Sequence, residues 1–475
     1  MAKIILIEPR APNLHIFTQF YTPRLGILVL GTIMKQRGWE VRVIIEEQEA
    51  IDYRQVVSAD LVGISTITST APRAYAIADK IRQQGVPVIM GGPHVTYLPE
   101  EALEHADFII RGEGELALPA LVDAWQNGRG YAAVPNLSYW RNNRMLHNPL
   151  KPFLTDLDQI PAPDFSLLKK AVRGVAGKNI IPVQTSRGCP FDCTFCSVTS
   201  MFGRRFRFRS TSHIIRELRQ YNSRRNFIFF YDDNFTANPG RAKELLRAMI
   251  AEKFKFKWSV QVRADVARDR ELVRLMKKAG CHTLFIGFES VNPRSLEAMK
   301  KKQTVEEIIR TIRILRRCRI HIHGMFVYGF DDDDWRTVKQ TVRFAKRARL
   351  NSSQFLILTP LPGSHLYCQI EKEKRFQFKD WNLYDAHHVV FRPARFAPLD
   401  LQRAQIFSHK KFYSWMQTVK KFLRLRWLDV GVAHYARQLN RLWQRNNRTF
   451  LTAVSLLGPK KNVSVSVDYR ENINL

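Results

Sequence analysis

The chain has 475 residues, room for two or three domains at roughly 100–200 residues each, and its 45% hydrophobic and 11% aromatic content exclude global disorder. Its formal charge of +32, from 75 Lys and Arg against 43 Asp and Glu, draws nucleic acid, anionic lipid or anionic substrates without choosing among them. No apolar run approaches the roughly 18 residues of a membrane span, and the N-terminus lacks a signal peptide's order of charged, apolar and small residues, so a cytoplasmic protein is expected.

From the N-terminus, strand-like runs Lys3–Ile7, Glu40–Ile45, Asp60–Ser65, Val86–Met90 and Asp107–Arg111 alternate with helical stretches Gly26–Gln36, Pro72–Gln84 and Glu115–Trp125. This alternation predicts an α/β fold with a doubly wound, flavodoxin- or Rossmann-like parallel sheet over residues 1–140. Ligands of such sheets bind at the carboxyl ends of the strands. Those ends are small and polar here: Ser65-Thr66-Ile67-Thr68, Gly91-Gly92-Pro93-His94 and Gly112-Glu113-Gly114-Glu115.

Residues 141–178, with Pro149, Pro152, Pro161 and Pro163, read as a linker. A second series over 179–370 places strands at Ile180–Thr185, Phe227–Tyr231, Trp258–Arg263, Thr283–Gly287, His321–Tyr328 and Gln354–Leu358. Six strand–helix units predict a partial (β/α)6 barrel. Residues 371–475 become mainly helical and basic. The acids Asp331–Asp334 read as a solvated helix start.

The six cysteines do not form a disulfide-like pattern, because three fall within eight residues and three stand singly. The first strand of the second series runs into Ser186-Arg187-Gly188-Cys189-Pro190-Phe191-Asp192-Cys193-Thr194-Phe195-Cys196. A C-x₃-C-x₂-C loop lets Cys189, Cys193 and Cys196 ligate three irons of a [4Fe–4S] cube and leaves the fourth iron open. A structural zinc normally asks for four ligands, and no further Cys or His lies near in sequence.

With these residues the chain resembles the radical S-adenosylmethionine superfamily over about residues 178–370. The resemblance implies that S-adenosylmethionine chelates the open iron and is cleaved by one electron to methionine and a 5′-deoxyadenosyl radical. It also implies a low-potential electron donor such as ferredoxin or flavodoxin. Phe195 matches the family's aromatic position beside the adenine, and Asp232 and Asp233 fall where the methionine amino group is held. Gln261 and Arg263 end the third strand, Arg263 being suited to a carboxylate, and Glu289 and Ser290 fall where the ribose is addressed.

A flavodoxin-like domain ahead of such a barrel resembles the cobalamin-binding subfamily. That resemblance makes residues 1–140 a cobalamin-binding domain, with Pro23 and Gly26, then Ser65, Thr66 and Thr68, then Gly91, Gly92 and His94 at the ligand. The Asp-x-His-x-x-Gly motif of proteins that ligate cobalt from below is absent; its nearest counterpart centres on His15. Absence of that motif fits the subfamily.

From Leu401 to Leu475 there are 14 Lys and Arg against three Asp and Glu, interleaved with aromatics. Three readings stay open: a helical cap with solvated charges, an amphipathic membrane-surface helix over Met416–Trp427, and nucleic-acid binding. Membrane contact is preferred to nucleic acid, which is not an expected partner. Tyr384 and His388, past the last strand, are candidate proton or hydrogen donors.

The expected function is methylation of an unactivated carbon on a small-molecule, lipid or pigment substrate. The alternative keeps the cofactors but performs oxidative cyclisation or rearrangement. A third reading, of another class, is a cobalamin-sensing nucleic-acid-binding protein. tRNA methylthiolation would need a second cluster on N-terminal cysteines, and residues 1–188 contain none.

Overall fold

The computed structural model describes residues 1–13, 22–169 and 178–457. Of these, 1–12, 22–169, 178–190 and 197–232 form one compact unit, and 13, 191–196 and 233–457 form the other.

In the first unit, strands β1 (Lys3–Glu8), β2 (Glu40–Ile45), β3 (Leu61–Ser65), β4 (Val88–Gly91), β5 (Phe108–Ile110), β6 (Leu137–Arg141) and β7 (Arg144–His147) form one sheet in the order β2-β1-β3-β4-β5-β6-β7. The first five pair in parallel, and β6 pairs antiparallel with both β5 and β7. Period-two side chains divide the core between the two faces. Ile4 and Leu6 pack with helices Leu25–Gln36 and Ala117–Gln126, whereas Ile5 and Ile7 pack with Ala71–Arg82. The strand order reverses between β1 and β3, the place where doubly wound sheets bind ligands.

The β6–β7 hairpin was not expected from the sequence. Asn142 and Asn143, at φ 49° and 57°, turn it, an arrangement in which Asn is favoured because both central residues need positive φ. The same unit carries β8 (Asn179–Val183), β9 (Ser186–Arg187), β10 (Arg207–Phe208) and β11 (Asn226–Phe230). β8 and β11 pair in parallel, and β9 and β10 pair antiparallel.

The second unit continues the strand–helix series with four parallel strands, β12 (Lys257–Val262), β13 (Cys281–Glu289), β14 (His321–Tyr328) and β15 (Ser352–Ile357), each paired with the next. Its helices start at side-chain caps that satisfy otherwise orphaned N–H groups: Asn238 accepts from Arg241, Asp269 from Leu272, Thr304 from Glu307 and Asp334 from Thr337. The acidic run therefore starts a helix at Asp334 as expected, but Asp333 is not solvated. It is fully buried and accepts from the N–H groups of Gly329 and Phe330 and from the Ser295 hydroxyl.

Helices Pro398–Phe412, Trp415–Phe422, Trp427–Asn446 and Arg448–Leu456 follow. The first lies against β15, where the Tyr413 hydroxyl beyond its end takes up both backbone groups of Ser353. The helix expected over Met416–Trp427 breaks after Phe422 at a turn with Leu425 at φ 52°.

Candidate active site

The entry to the cysteine loop is fixed by a buried carboxylate. Asp232, 1% exposed, accepts from the Thr185 N–H at 2.7 Å, the Ser186 N–H at 3.0 Å and the Thr185 hydroxyl. Burial pushes its carboxyl up to about 6 against these hydrogen bonds. Asp232 thus holds the end of the strand that leads into the loop. Beyond it Gly188 has φ 83°, and a Cβ there would come within 2.9 Å of the Arg205 carbonyl oxygen, so the bend requires glycine.

Further along, Cys193 is buried while Cys189 and Cys196 are half-buried, and no cysteine forms a disulfide. The Cys196 N–H donates to the Cys193 carbonyl, Thr194 N–H to Met299 and Leu366 N–H to Thr194. Arg263 lies 3.7 Å over the Phe191 ring, with Nη1 4.0 Å from the Cys193 sulfur and Nη2 donating to the Lys301 carbonyl. This guanidinium braces the cysteine loop, a contact that motif order along the chain could not reveal.

Glu289, at φ 60°, pairs with Lys301 at 2.8 Å, and Ser290 accepts from the Asn292 N–H. Phe195 meets Phe330 edge-on, and Asp233 and Gln261 are exposed. Among the described residues no three His, Cys, Asp or Glu side chains converge on one ion. A cubane does not ask for that, because each thiolate takes its own iron. Three unbridged thiols in one loop, with a guanidinium at the buried sulfur, fit a cluster whose potential is tuned by contacts to sulfur.

In the N-terminal domain, Thr66 is fully buried and its N–H and hydroxyl both donate to the Gly91 carbonyl. Gly92, at φ 109°, could not carry a side chain: a Cβ would stand 2.2 Å from the Thr66 carbonyl oxygen. Its glycine is required by close approach of two strand ends. His94 is also fully buried, with Nε2 3.3 Å from Glu101, and Thr68 is buried at the start of a 3₁₀ turn.

Pro23 is buried, Ser65 is half-buried, and Gly26 is exposed with open space around it. Ile67 and Leu116 are 37% and 52% exposed just beyond β3 and β5. An open glycine in the first turn of helix Leu25–Gln36 and exposed aliphatics after β3 and β5 fit a large, partly apolar ligand. His15 lies outside the described residues.

Two networks escaped sequence reasoning. Arg24 donates its N–H to Glu8 and a guanidinium N–H to the Ser65 carbonyl, joining the ends of β1 and β3. Glu113 accepts from Arg207, Arg187 and the Leu154 N–H, and Arg187 also pairs with Glu115. The only sequence signal was the acid content of a Gly-Glu-Gly-Glu loop. Tyr384 and His388 are both buried: the Tyr384 hydroxyl donates to Phe378, and His388 sits between Asp385 at 2.9 Å and Asn447 at 2.8 Å.

A three-cysteine loop after the first strand of a β/α series, behind a doubly wound domain, defines a radical S-adenosylmethionine enzyme with a corrinoid-type domain. Residues 183–345 match the Radical SAM superfamily and residues 18–122 the B12 binding domain. An uncharacterized methyltransferase of Pyrococcus horikoshii, PH0819, is 32% identical over 82% of this chain and 88% of its own. The bacteriochlorophyllide d C-12(1)-methyltransferase of Chlorobaculum tepidum is 29% identical over 88% and 89%. The radical S-adenosylmethionine methyltransferase TsrM from Kitasatospora setae superposes with a TM-score of 0.66 at 19% identity, over 78% of this chain and 76% of its own.

The chain belongs to the radical SAM superfamily, in the group that carries a B12-binding domain. That membership brings a [4Fe–4S] cluster, S-adenosylmethionine and cobalamin.

Proposed function

We propose that this enzyme methylates an unactivated carbon of a pigment, lipid or other small molecule. In this reading Cys189, Cys193 and Cys196 hold the cluster, and the helix start at Gly26 and the strand end at Ser65 and Ile67 face the corrinoid. The carrying observation is the three-thiol loop on a chain that also has a B12-binding domain, supported by 32% identity to a methyltransferase over most of both chains. When bound, the cluster and S-adenosylmethionine supply hydrogen abstraction and cobalamin supplies the methyl group.

The chain's own residues set the geometry for that chemistry. Asp232 clamps the strand end ahead of the loop, and Arg263 holds Phe191 and places positive charge at the Cys193 sulfur. Tyr384 and His388 have their polar atoms engaged by protein groups, which supports a positioning role rather than proton delivery. Electrons come in this reading from a low-potential donor of the ferredoxin or flavodoxin type.

The test is anaerobic reconstitution with iron, sulfide and hydroxocobalamin, beside Cys193→Ala, followed by S-adenosylmethionine and a strong reductant. Formation of both 5′-deoxyadenosine and S-adenosylhomocysteine, lost in the variant, is the expected result. 5′-Deoxyadenosine alone in the presence of pigment or lipid substrate would replace methylation with cyclisation or rearrangement. Neither product from protein carrying four irons would overturn the reading.

A further inference from the structure

Helix Trp415–Phe422 is turned inside out relative to an ordinary surface helix. Its buried positions are Thr418 and Lys421. Its apolar residues face outward: Trp415, Met416, Val419, Phe422 and Leu423 recur at i, i+1, i+4, i+7 and i+8, the spacing of one helical face, and each is at least half exposed.

The turn that follows adds Leu425, and the start of the next helix adds Trp427 and Leu428, exposed by 74%, 58% and 47%. Phe422 and Trp427 meet edge-on at 4.9 Å, which joins the two helices across the turn into one patch. Isolated surface leucines need no explanation, but a contiguous apolar patch of this kind marks a binding surface.

The orientation is held from below. Lys421 reaches inward to donate to the Asn351 carbonyl at 2.8 Å and lies over the rings of Phe412 and Tyr413. Arg437 bonds Thr418 and the Tyr413 carbonyl and stacks 4.1 Å over Trp415. Cationic side chains thus tie the polar face down and leave the apolar face outward.

The rim of the patch carries one sign of charge. Lys420 and Arg424 are exposed on the same segment. Arg424 and Arg426 act with Arg349 on Arg316, which burial and these like charges hold below its ordinary pKa. Lys411 and Lys420 do the same, behind burial, to Lys346. Between residues 401 and 457 the sole acid, Asp429, is buried and engaged by Arg426.

We infer that Trp415–Leu428 is an in-plane docking element for an anionic lipid bilayer, its aliphatic and tryptophan side chains entering the acyl boundary while the surrounding Lys and Arg meet headgroup phosphates. Tryptophan is suited to that interface because its ring is amphipathic. A second copy of the chain fits less well, since a two-fold pairing would set Lys420 and Arg424 against their own counterparts. Nucleic acid fits less well because the cations surround an aliphatic centre instead of lining a groove. Among the described residues no helix is long and apolar enough to cross a membrane, so contact through this patch is with one leaflet.

The test is flotation of the full-length protein with vesicles of phosphatidylcholine alone or with a third phosphatidylglycerol, at low and high NaCl. Binding is expected only with phosphatidylglycerol and should weaken with salt. Lys420→Gln and Arg424→Gln should each lower partitioning about five-fold. The exposed double variant L423E/L425E should abolish binding while circular dichroism and the melting transition stay as in wild type.

Equal binding to neutral vesicles, no binding, or binding unchanged in L423E/L425E would overturn the inference. So would a dimer in light scattering that L423E/L425E dissolves, or salt-sensitive binding of single-stranded RNA in place of vesicles. Vesicle binding needs neither cluster nor turnover, so its failure would leave the methyl-transfer reading where it stands.

Discussion

Removing the Glu113 carboxylate should loosen the entry to the cysteine loop. Glu113 is 8% exposed and lies against Arg187 and Arg207, 7% and 3% exposed, with N–O distances of 3.2 and 2.8 Å. Burial would raise its carboxyl, but the Arg207 hydrogen bond, the charges of Arg187 and Arg207 and the Leu154 N–H outweigh burial and hold it below its ordinary value. Deleting one partner of a buried pair costs roughly 3–5 kcal/mol because the remaining charge is left uncompensated. Arg187 keeps Glu115, so Glu113→Ala should fall near the lower end, about 3 kcal/mol, with its cost concentrated on Arg207. Urea unfolding gives the stability, and iron content after reconstitution gives the effect on the loop two residues past Arg187. The depressed carboxyl sets the pH sign: its stabilisation is full above its unfolded pKa of about 4.3 and is lost as pH falls through the folded value. Wild type should therefore weaken on acidification more than Glu113→Ala. A loss under about 1 kcal/mol, with parallel pH profiles, would refute the reasoning.

Other substitutions probe separate contacts. Arg263→Gln removes the cation 4.0 Å from the Cys193 sulfur and should lower the cluster potential on the order of 50 mV, equivalent to about 1 kcal/mol for one electron; an EPR-monitored titration that finds the wild-type potential at full iron content would count against it. Gly92→Ala would force a Cβ to 2.2 Å from the Thr66 carbonyl at φ 109°, so a loss of about 3 kcal/mol is expected in thermal unfolding, and an unchanged melting temperature would sink the steric account. For His388, burial works against the charged ring but Asp385 and Asn447 raise its pKa, while Asp385, despite burial, is held at about 2 chiefly by His388. The His388 contribution is full below its unfolded pKa of about 6.5 and fades as pH rises through the folded value; that of Asp385 fades only as pH falls toward about 2. His388→Ala should flatten the alkaline decline, and an activity loss in protein of wild-type stability would instead make His388 a catalytic donor.

The two strand series were legible because their apolar runs are short, separated and bounded by Gly, Ser and Thr, which periodicity reads directly. The β6–β7 hairpin was not, because its tip Asn142-Asn143 lies beside a proline-rich stretch that reads as connector. The cysteine loop was legible because its chemistry is local in sequence. Asp232, Arg263 and Gly92 were found as positions, yet their partners lie 47, 70 and 26 residues away, as Thr185, Cys193 and Thr66. A one-dimensional motif carries the residue type and leaves its direction open, so the contacts each makes within the chain had to come from the structure.

The same distinction divides the chain's positive charge. Arg187, Arg207, Arg209 and Arg263 are nearly buried, and each is matched to an acid or carbonyl: Glu115, Glu113, Glu217 and Lys301. Desolvating a guanidinium is costly unless it is paired, so these cations are committed to holding strand ends and loops. Lys420 and Arg424 are exposed beside an apolar face, within a segment whose sole acid is engaged by Arg426. Charge of that kind adds nothing to folding and repels its neighbours. Buried, paired cations should respond less to salt than exposed Lys420 and Arg424, which is why raising NaCl should release the protein from anionic vesicles without unfolding it.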